Sequence, residues 1–243
     1  IASKEGQRVR EAVIRDDQQL LVQEMGDNGF PYASATPILV PDTVLSLAAL
    51  RWQIKRNHAA FFHVTHVEGE SRVKHRHVFR QLEYSVGDVW SQKKLDDTQK
   101  QIFSLGVFSV VSVSALLGQG QPDSIPVRVF LKDAPRFSSR FGVGYGHEDR
   151  LRAFVELQLL RFPGGISRVV FNARYSFIEP VNVSLKFIQP AFPFKSGNLQ
   201  LNPYFILQNE PAYELERFGG EVGILHRIGN YLSSNVTLFA EKI

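Results

Sequence analysis

From Arg136 onward, apolar and polar side chains alternate with a period of two through successive segments about ten residues long. In the first, Phe137, Phe141, Val143 and Tyr145 share one face, and Ser138, Arg140, Gly142 and Gly144 share the other. In the second, Leu151, Ala153, Val155, Leu157 and Leu159 oppose Arg152, Glu156 and Gln158. The third sets Val169, Phe171, Ala173, Tyr175 and Phe177 against Arg168, Asn172, Arg174 and Ser176. Val181, Val183, Leu185 and Phe187 then oppose Asn182, Ser184 and Lys186, and Leu199, Leu201, Phe205 and Leu207 oppose Gln200, Asn202 and Gln208. A sixth segment, Tyr213–Ile228, changes phase around Arg217–Phe218, which predicts a bulge. A seventh sets Leu232, Val236 and Leu238 against Ser233, Asn235 and Thr237. The pattern predicts seven antiparallel strands.

Before Pro135 the periods are mixed. Asp16 and Asp17 are placed to cap a helix with Leu20, Leu21 and Met25 on one face, stopped by Gly26-Asp27-Asn28-Gly29. Two β-rich pieces follow, at Ala35–Val40 and Val44–Lys55. A strand at Ala60–Val67 is broken by Glu68-Gly69-Glu70, and Val78, Phe79 and Leu82 mark a short helix that ends by Gly87-Asp88. Ser91 suits the N-cap of a further helix with Leu95, Ile102 and Phe103 on one face and Gly106 as its stop. Val107–Ala115 and Ile125–Lys132 read as strands. The order strand, helix, helix, strand, strand lets the helices cover one face of a small sheet.

A one-sided strand pattern fits a soluble sandwich as well as a membrane barrel. The polar face decides in favour of the barrel. It is rich in Arg, Asn, Gln and Ser over long strands, while Tyr145, Phe162, Phe177 and Phe194 gather near strand ends. A water-filled lumen and an interfacial aromatic girdle have those compositions. No helix-period segment follows Pro135 to cover a sheet. The apolar stretches fall far short of the ~18 residues of a membrane helix, which leaves strand-crossing untouched.

Composition and charge narrow the chemistry. A chain that is 44% hydrophobic and 21% charged builds cores. The net charge of +4 is dispersed, and the local patch Lys55-Arg56-Asn57-His58 reads as a solvated strand end, so no nucleic-acid partner is expected. There is no cysteine, which excludes disulfides and thiolate chemistry. Ile1-Ala2-Ser3-Lys4-Glu5 lacks the layout of a signal peptide. Gly142-x-Gly144-x-Gly146 is not followed by a helix and reads as a glycine-rich strand rather than a phosphate loop. His58, His63, His66, His75 and His77 are spaced onto different faces, so no metal site is expected. Asp96-Asp97 and Glu148-Asp149 read as a solvated helix turn and an exposed loop, and the Asn182 and Asn235 glycosylation patterns sit within strands. Neither catalysis nor a cofactor is expected.

Specific stretches carry a resemblance. Asn28-Gly29-Phe30-Pro31-Tyr32-Ala33, Val67-Glu68-Gly69, and Gly87-Asp88 followed by Leu95 and Leu105-Gly106-Val107-Phe108-Ser109-Val110-Val111 resemble the periplasmic POTRA modules of the BamA/TamA superfamily. Phe141-Gly142-Val143-Gly144-Tyr145 is similar to its first barrel strand. Phe162-Pro163-Gly164-Gly165 and Gln189-Pro190-Ala191-Phe192 resemble turns after its second and fourth strands. The resemblance implies α+β POTRA modules leading into an antiparallel transmembrane β-barrel, the N-terminal part of a sixteen-stranded one. Residues 1–57 would be the C-terminal part of one module, 58–135 a complete module and 136–243 the first seven barrel strands. Seven is odd where bacterial barrels have even counts, and the family's later Arg-Gly-Phe loop is absent, so a piece of a longer protein is expected.

The resemblance further implies a bacterial outer-membrane location with periplasmic N-terminal modules. The implied role is insertion of other proteins by edge-strand pairing. In the family's modules the second strand lies at a sheet edge, which makes Val107, Phe108, Ser109, Val110, Val111, Ser112, Val113 and Ser114 the candidate docking edge. Phe137, Ser139, Phe141, Gly142, Val143, Gly144, Tyr145 and Gly146 form the candidate seam strand, where Gly142 and Gly144 are expected to weaken the strand by lacking side-chain contacts. Implied partners are unfolded outer-membrane or secreted clients, outer-membrane lipid, and periplasmic or lipoprotein accessory subunits. The competing expectations are a two-partner secretion transporter and, from another class, a soluble β-rich binding protein or lipid-active enzyme module.

Overall fold

A computed structural model describes residues 3, 8–42, 47–118, 123–147, 150–210, 213–228 and 232–243. Its elements run α1 (Glu11–Asp27), β1 (Ser34–Asp42), β2 (Leu47–Lys55), β3 (Phe61–Glu70), α2 (His75–Phe79), α3 (Gln92–Ser104), β4 (Phe108–Ala115) and β5 (Ser124–Asp133). Seven strands follow: β6 (Phe137–Gly146), β7 (Arg150–Phe162), β8 (Ser167–Tyr175), β9 (Val181–Pro190), β10 (Gly197–Glu210), β11 (Tyr213–Ile228) and β12 (Leu232–Lys242). They form a β1–β2 hairpin, a three-stranded sheet ordered β3-β5-β4, and a seven-stranded sheet in which each strand pairs with its neighbours in sequence. The seven-stranded sheet is antiparallel throughout and, among the described residues, open, with β6 and β12 at its edges.

Backbone packing groups the chain into two compact units. In the first, spanning 1–68, 82–99 and 112–130, the core is aromatic. The Phe62 ring stacks on Tyr84 at 4.0 Å and on Trp90 at 4.8 Å between centroids. Tyr84 shares a 2.9 Å hydrogen bond with Thr65, and burial holds its phenol above the usual tyrosine range. Ile125, Val127 and Val129 of β5 are buried while Arg128 and Phe130 between them are exposed, so the sheet has one covered face. The N-terminus of α3 is capped twice. Ser91 Oγ accepts the Lys94 N–H, and Asp27 Oδ1 accepts the Lys93 N–H at 2.6 Å. Asp88 pairs with Lys94 at 3.0 Å, and the hydrogen bond from Lys94, followed by the Ser85 N–H, holds its carboxyl below the usual range.

In the second unit, spanning 69–81, 100–111 and 131–243, three arginines join the α/β residues to the turns of the large sheet. Arg80 donates to the Pro193 carbonyl at 3.2 Å, the Arg161 guanidinium donates to the Ala134 carbonyl at 2.8 Å, and the Arg168 guanidinium lies over Gly106. Arg161 also faces Asp133 at 3.7 Å, with both side chains largely buried.

Several expectations need correction. Helix α1 starts at Glu11, and Asp17 lies buried inside it, accepting the Ser3 N–H at 2.9 Å, so neither Asp16 nor Asp17 is its cap. Its buried positions are Ile14, Asp17 and Gly26, while Leu20 is half exposed. Strand β3 continues through Glu68-Gly69-Glu70. Gly69 lies so close to the Leu131 backbone of β5 that a Cβ would fall 2.1 Å from its carbonyl oxygen, so glycine serves a close approach there and not a break. On α3, Leu95 and Ile102 are buried but Phe103 faces solvent. The β10–β11 register runs unbroken through Arg217–Phe218, which removes the predicted bulge; Phe218 simply continues the apolar face and Glu214 and Glu216 interrupt it. The irregularity sits instead in β7, between Leu160 and Phe162, where Arg161 takes a φ of 59°. The start of the second β piece at Val44 and the Glu148-Asp149 loop lie outside the described residues.

Candidate strand-docking edges

The register turns single-strand alternation into two continuous faces. Phe141, Val155 and Ala173 stand side by side across β6, β7 and β8; Leu157, Phe171 and Leu185 do so across β7, β8 and β9. Leu201, Val222 and Leu238 continue the apolar face across β10, β11 and β12. It is bare: Phe141 is 80% exposed, Val143 84% and Leu238 73%. Tyr145 and Phe177 lie at one end of the strands, and Phe162 and Phe194 at the other. Arg150 stacks over the Phe177 ring, 4.0 Å from its centroid.

The opposite face is polar and hydrogen-bonded. Arg140 pairs with Glu156 across β6 and β7, and Tyr204 reaches over Gly219 to donate to Glu241 at 2.5 Å. A cavity of about 540 Å³ opens on this face, with Arg140, Arg152, Arg174, Glu156 and Glu179 in its wall.

The predicted seam residues Phe137, Ser139, Phe141, Gly142, Val143, Gly144, Tyr145 and Gly146 all lie on β6, whose outer side is unpaired among the described residues. Gly142 and Gly144 are not without cover, which corrects the expectation. Phe154 and Arg152 of β7 lie across them, and a Cβ on Gly142 would come within 2.5 Å of the Phe154 ring. Phe154 breaks the β7 alternation by standing on the polar face, a signal the strand pattern alone left uninterpreted.

The predicted docking residues Phe108, Ser109, Val110, Val111, Ser112, Val113 and Ser114 lie on β4, with Val107 just before it. β4 is an edge of its sheet. Val107 and Phe108 are buried and anchor the strand, while Ser109, Val110 and Ser112 are exposed. One backbone donor is already engaged: the Val113 N–H donates to Gln99 Oε1 at 3.0 Å. The two sets lie in different sheets, and nothing in the geometry makes them one site.

The chain is thus an α/β segment that leads into an antiparallel sheet, apolar on one face and polar on the other. Among solved structures, the fold is similar to BamA from Haemophilus ducreyi lacking POTRA domains 1-3, with a TM-score of 0.76 and 17% identity over 99% of this chain and 46% of that one. It is also similar to CdiB from Acinetobacter baumannii, with a TM-score of 0.56 and 13% identity over 97% of this chain and 46% of that one. The chain therefore has the fold shared by BamA and CdiB, and it spans about half the length of each (46%). No protein-family model and no curated protein matches the sequence.

Proposed function

We propose that the chain is the POTRA-to-barrel part of a bacterial outer-membrane assembly factor, which seats unfolded client strands by backbone pairing and without catalysis. In this reading residues 58–135 form a POTRA module, residues 1–57 the end of a preceding one, and β6–β12 the first strands of the barrel. The supporting observation is a seven-stranded antiparallel sheet with a bare apolar face that suits lipid, in a fold shared with BamA. In this reading β6 is the seam strand, and each backbone group that an opened seam leaves unsatisfied in hydrocarbon costs several kcal/mol, which makes it a template for an incoming strand. β4 offers an earlier, aqueous edge. Outer-membrane lipid, unfolded outer-membrane or secreted clients, and periplasmic or lipoprotein subunits are the partners this reading requires.

The test is site-specific photo-crosslinking in the full-length protein, reconstituted in vesicles with an unfolded outer-membrane client. Cross-linkers replacing Ser109 on β4 and Ser139 on β6 should both capture the client, β4 first. Client insertion with capture at neither position would refute the reading. The likeness to CdiB favours a second one, a two-partner secretion transporter. There the client would pass along the polar face, and capture would move to Arg140 and Arg174.

A further inference from the structure

The free edge of β4 is partly filled by the molecule itself. Gln99 Oε1 accepts the Val113 N–H at 3.0 Å, the bond that the carbonyl of an added strand would make. Gln92 and Asp96 lie two turns and one turn earlier on the same face of α3. They help line an open cavity of about 560 Å³ that is also walled by Gln18 and Gln23 of α1 and by Leu117 just past β4. Most of its polar groups are neutral carboxamides. Each carboxamide carries both donors and acceptors, which matches a peptide backbone and selects for no charged side chain.

We propose that Gln99 is a surrogate for the client: its carboxamide holds the backbone site on β4 that an extended polypeptide segment takes when it docks along the cavity. Docking is then an exchange of one acceptor for another. Such an exchange has a small net free energy, because a hydrogen bond broken is replaced by one made. The device keeps the edge from pairing indiscriminately and admits segments that add contacts along the cavity. The proposal rests on the reading of β4 as a docking edge.

The test uses the full-length protein with a photo-cross-linker replacing Ser112. The probe is a synthetic peptide with the sequence of residues 151–160 of this chain, a barrel strand in its own right. Gln99→Ala and the near-isosteric Gln99→Met remove the acceptor, and each should raise capture roughly two- to tenfold. Gln99→Glu, a stronger acceptor, should lower it. Exchange of the Val113 amide hydrogen without peptide should quicken in the first two variants. The Met variant keeps the packing volume, so a fold lost in the Ala variant leaves the test intact. Faster exchange with unchanged capture would make Gln99 structural only and overturn the proposal, while capture remaining in place would spare the docking reading. Capture at Ser112 in no variant, wild type included, would overturn both.

Discussion

Gly142 and Phe154 show how a single contact shapes the outer strand. The ring of Phe154 occupies the space where a side chain on Gly142 would stand, the cross-strand cover that an edge glycine needs. Gly142→Ala should therefore cost about 1–3 kcal/mol, because the ring must leave its place. Phe154→Ala should also destabilise, by uncovering the glycine. The double variant should be more stable than the sum of the two losses predicts, since the new methyl then fills the emptied space. Urea unfolding of the four proteins in one detergent closes the cycle, and strict additivity would show that the two residues do not interact. The consequence for the seam is specific: β6 is held by a side chain from β7 at the positions where its own sequence offers none.

At the scale of elements, the entry into the large sheet depends on a pair the alternation pattern did not reveal. Arg161 and Asp133 face each other at 3.7 Å, with side chains only 11% and 15% exposed, and Asp133 also accepts the Arg72 N–H at 3.0 Å. Arg161→Ala would leave a buried carboxylate with a single partner, so a loss near 3 kcal/mol is expected, at the lower end for a broken buried pair. Thermal unfolding measures it, and faster tryptic cleavage after Arg136 should accompany it. What was legible beforehand follows physical lines. Strands β7, β8 and β9 announce themselves because one face meets water and the other does not, and Ser91 marks the start of α3 because an N-cap is a local device. The start of α1 misled because Asp16-Asp17 has the chemistry of a cap, while Asp17 is in fact used by Ser3. Gly69, Asp27 and Gln99 act on partners at a distance in sequence, in Leu131, Lys93 and Val113, and no period along the chain encodes such pairings.

For the molecule as a whole, the bare apolar face fixes what the sheet needs around it. An apolar surface of this extent, bounded at both strand ends by aromatic rings, requires either lipid or a covering layer of protein. The two differ in how the cost of a charge depends on position. In a bilayer the penalty for arginine peaks at about 2–4 kcal/mol near the midplane and falls to about 0–1 kcal/mol at the interface. Leu157 lies mid-strand on the apolar face beside Phe171, whereas Leu151 on the same face sits near the strand end beside Tyr145. Leu157→Arg should therefore cost several times more than Leu151→Arg, and Gln158→Arg, on the polar face, almost nothing. Urea titration of folding into phosphatidylcholine vesicles measures all three with the full-length protein. In a dry protein interior, the two leucine positions would be penalised according to local packing, with no reason for the terminal one to be spared. Equal costs at residues 151 and 157 would therefore remove lipid as the partner of this face.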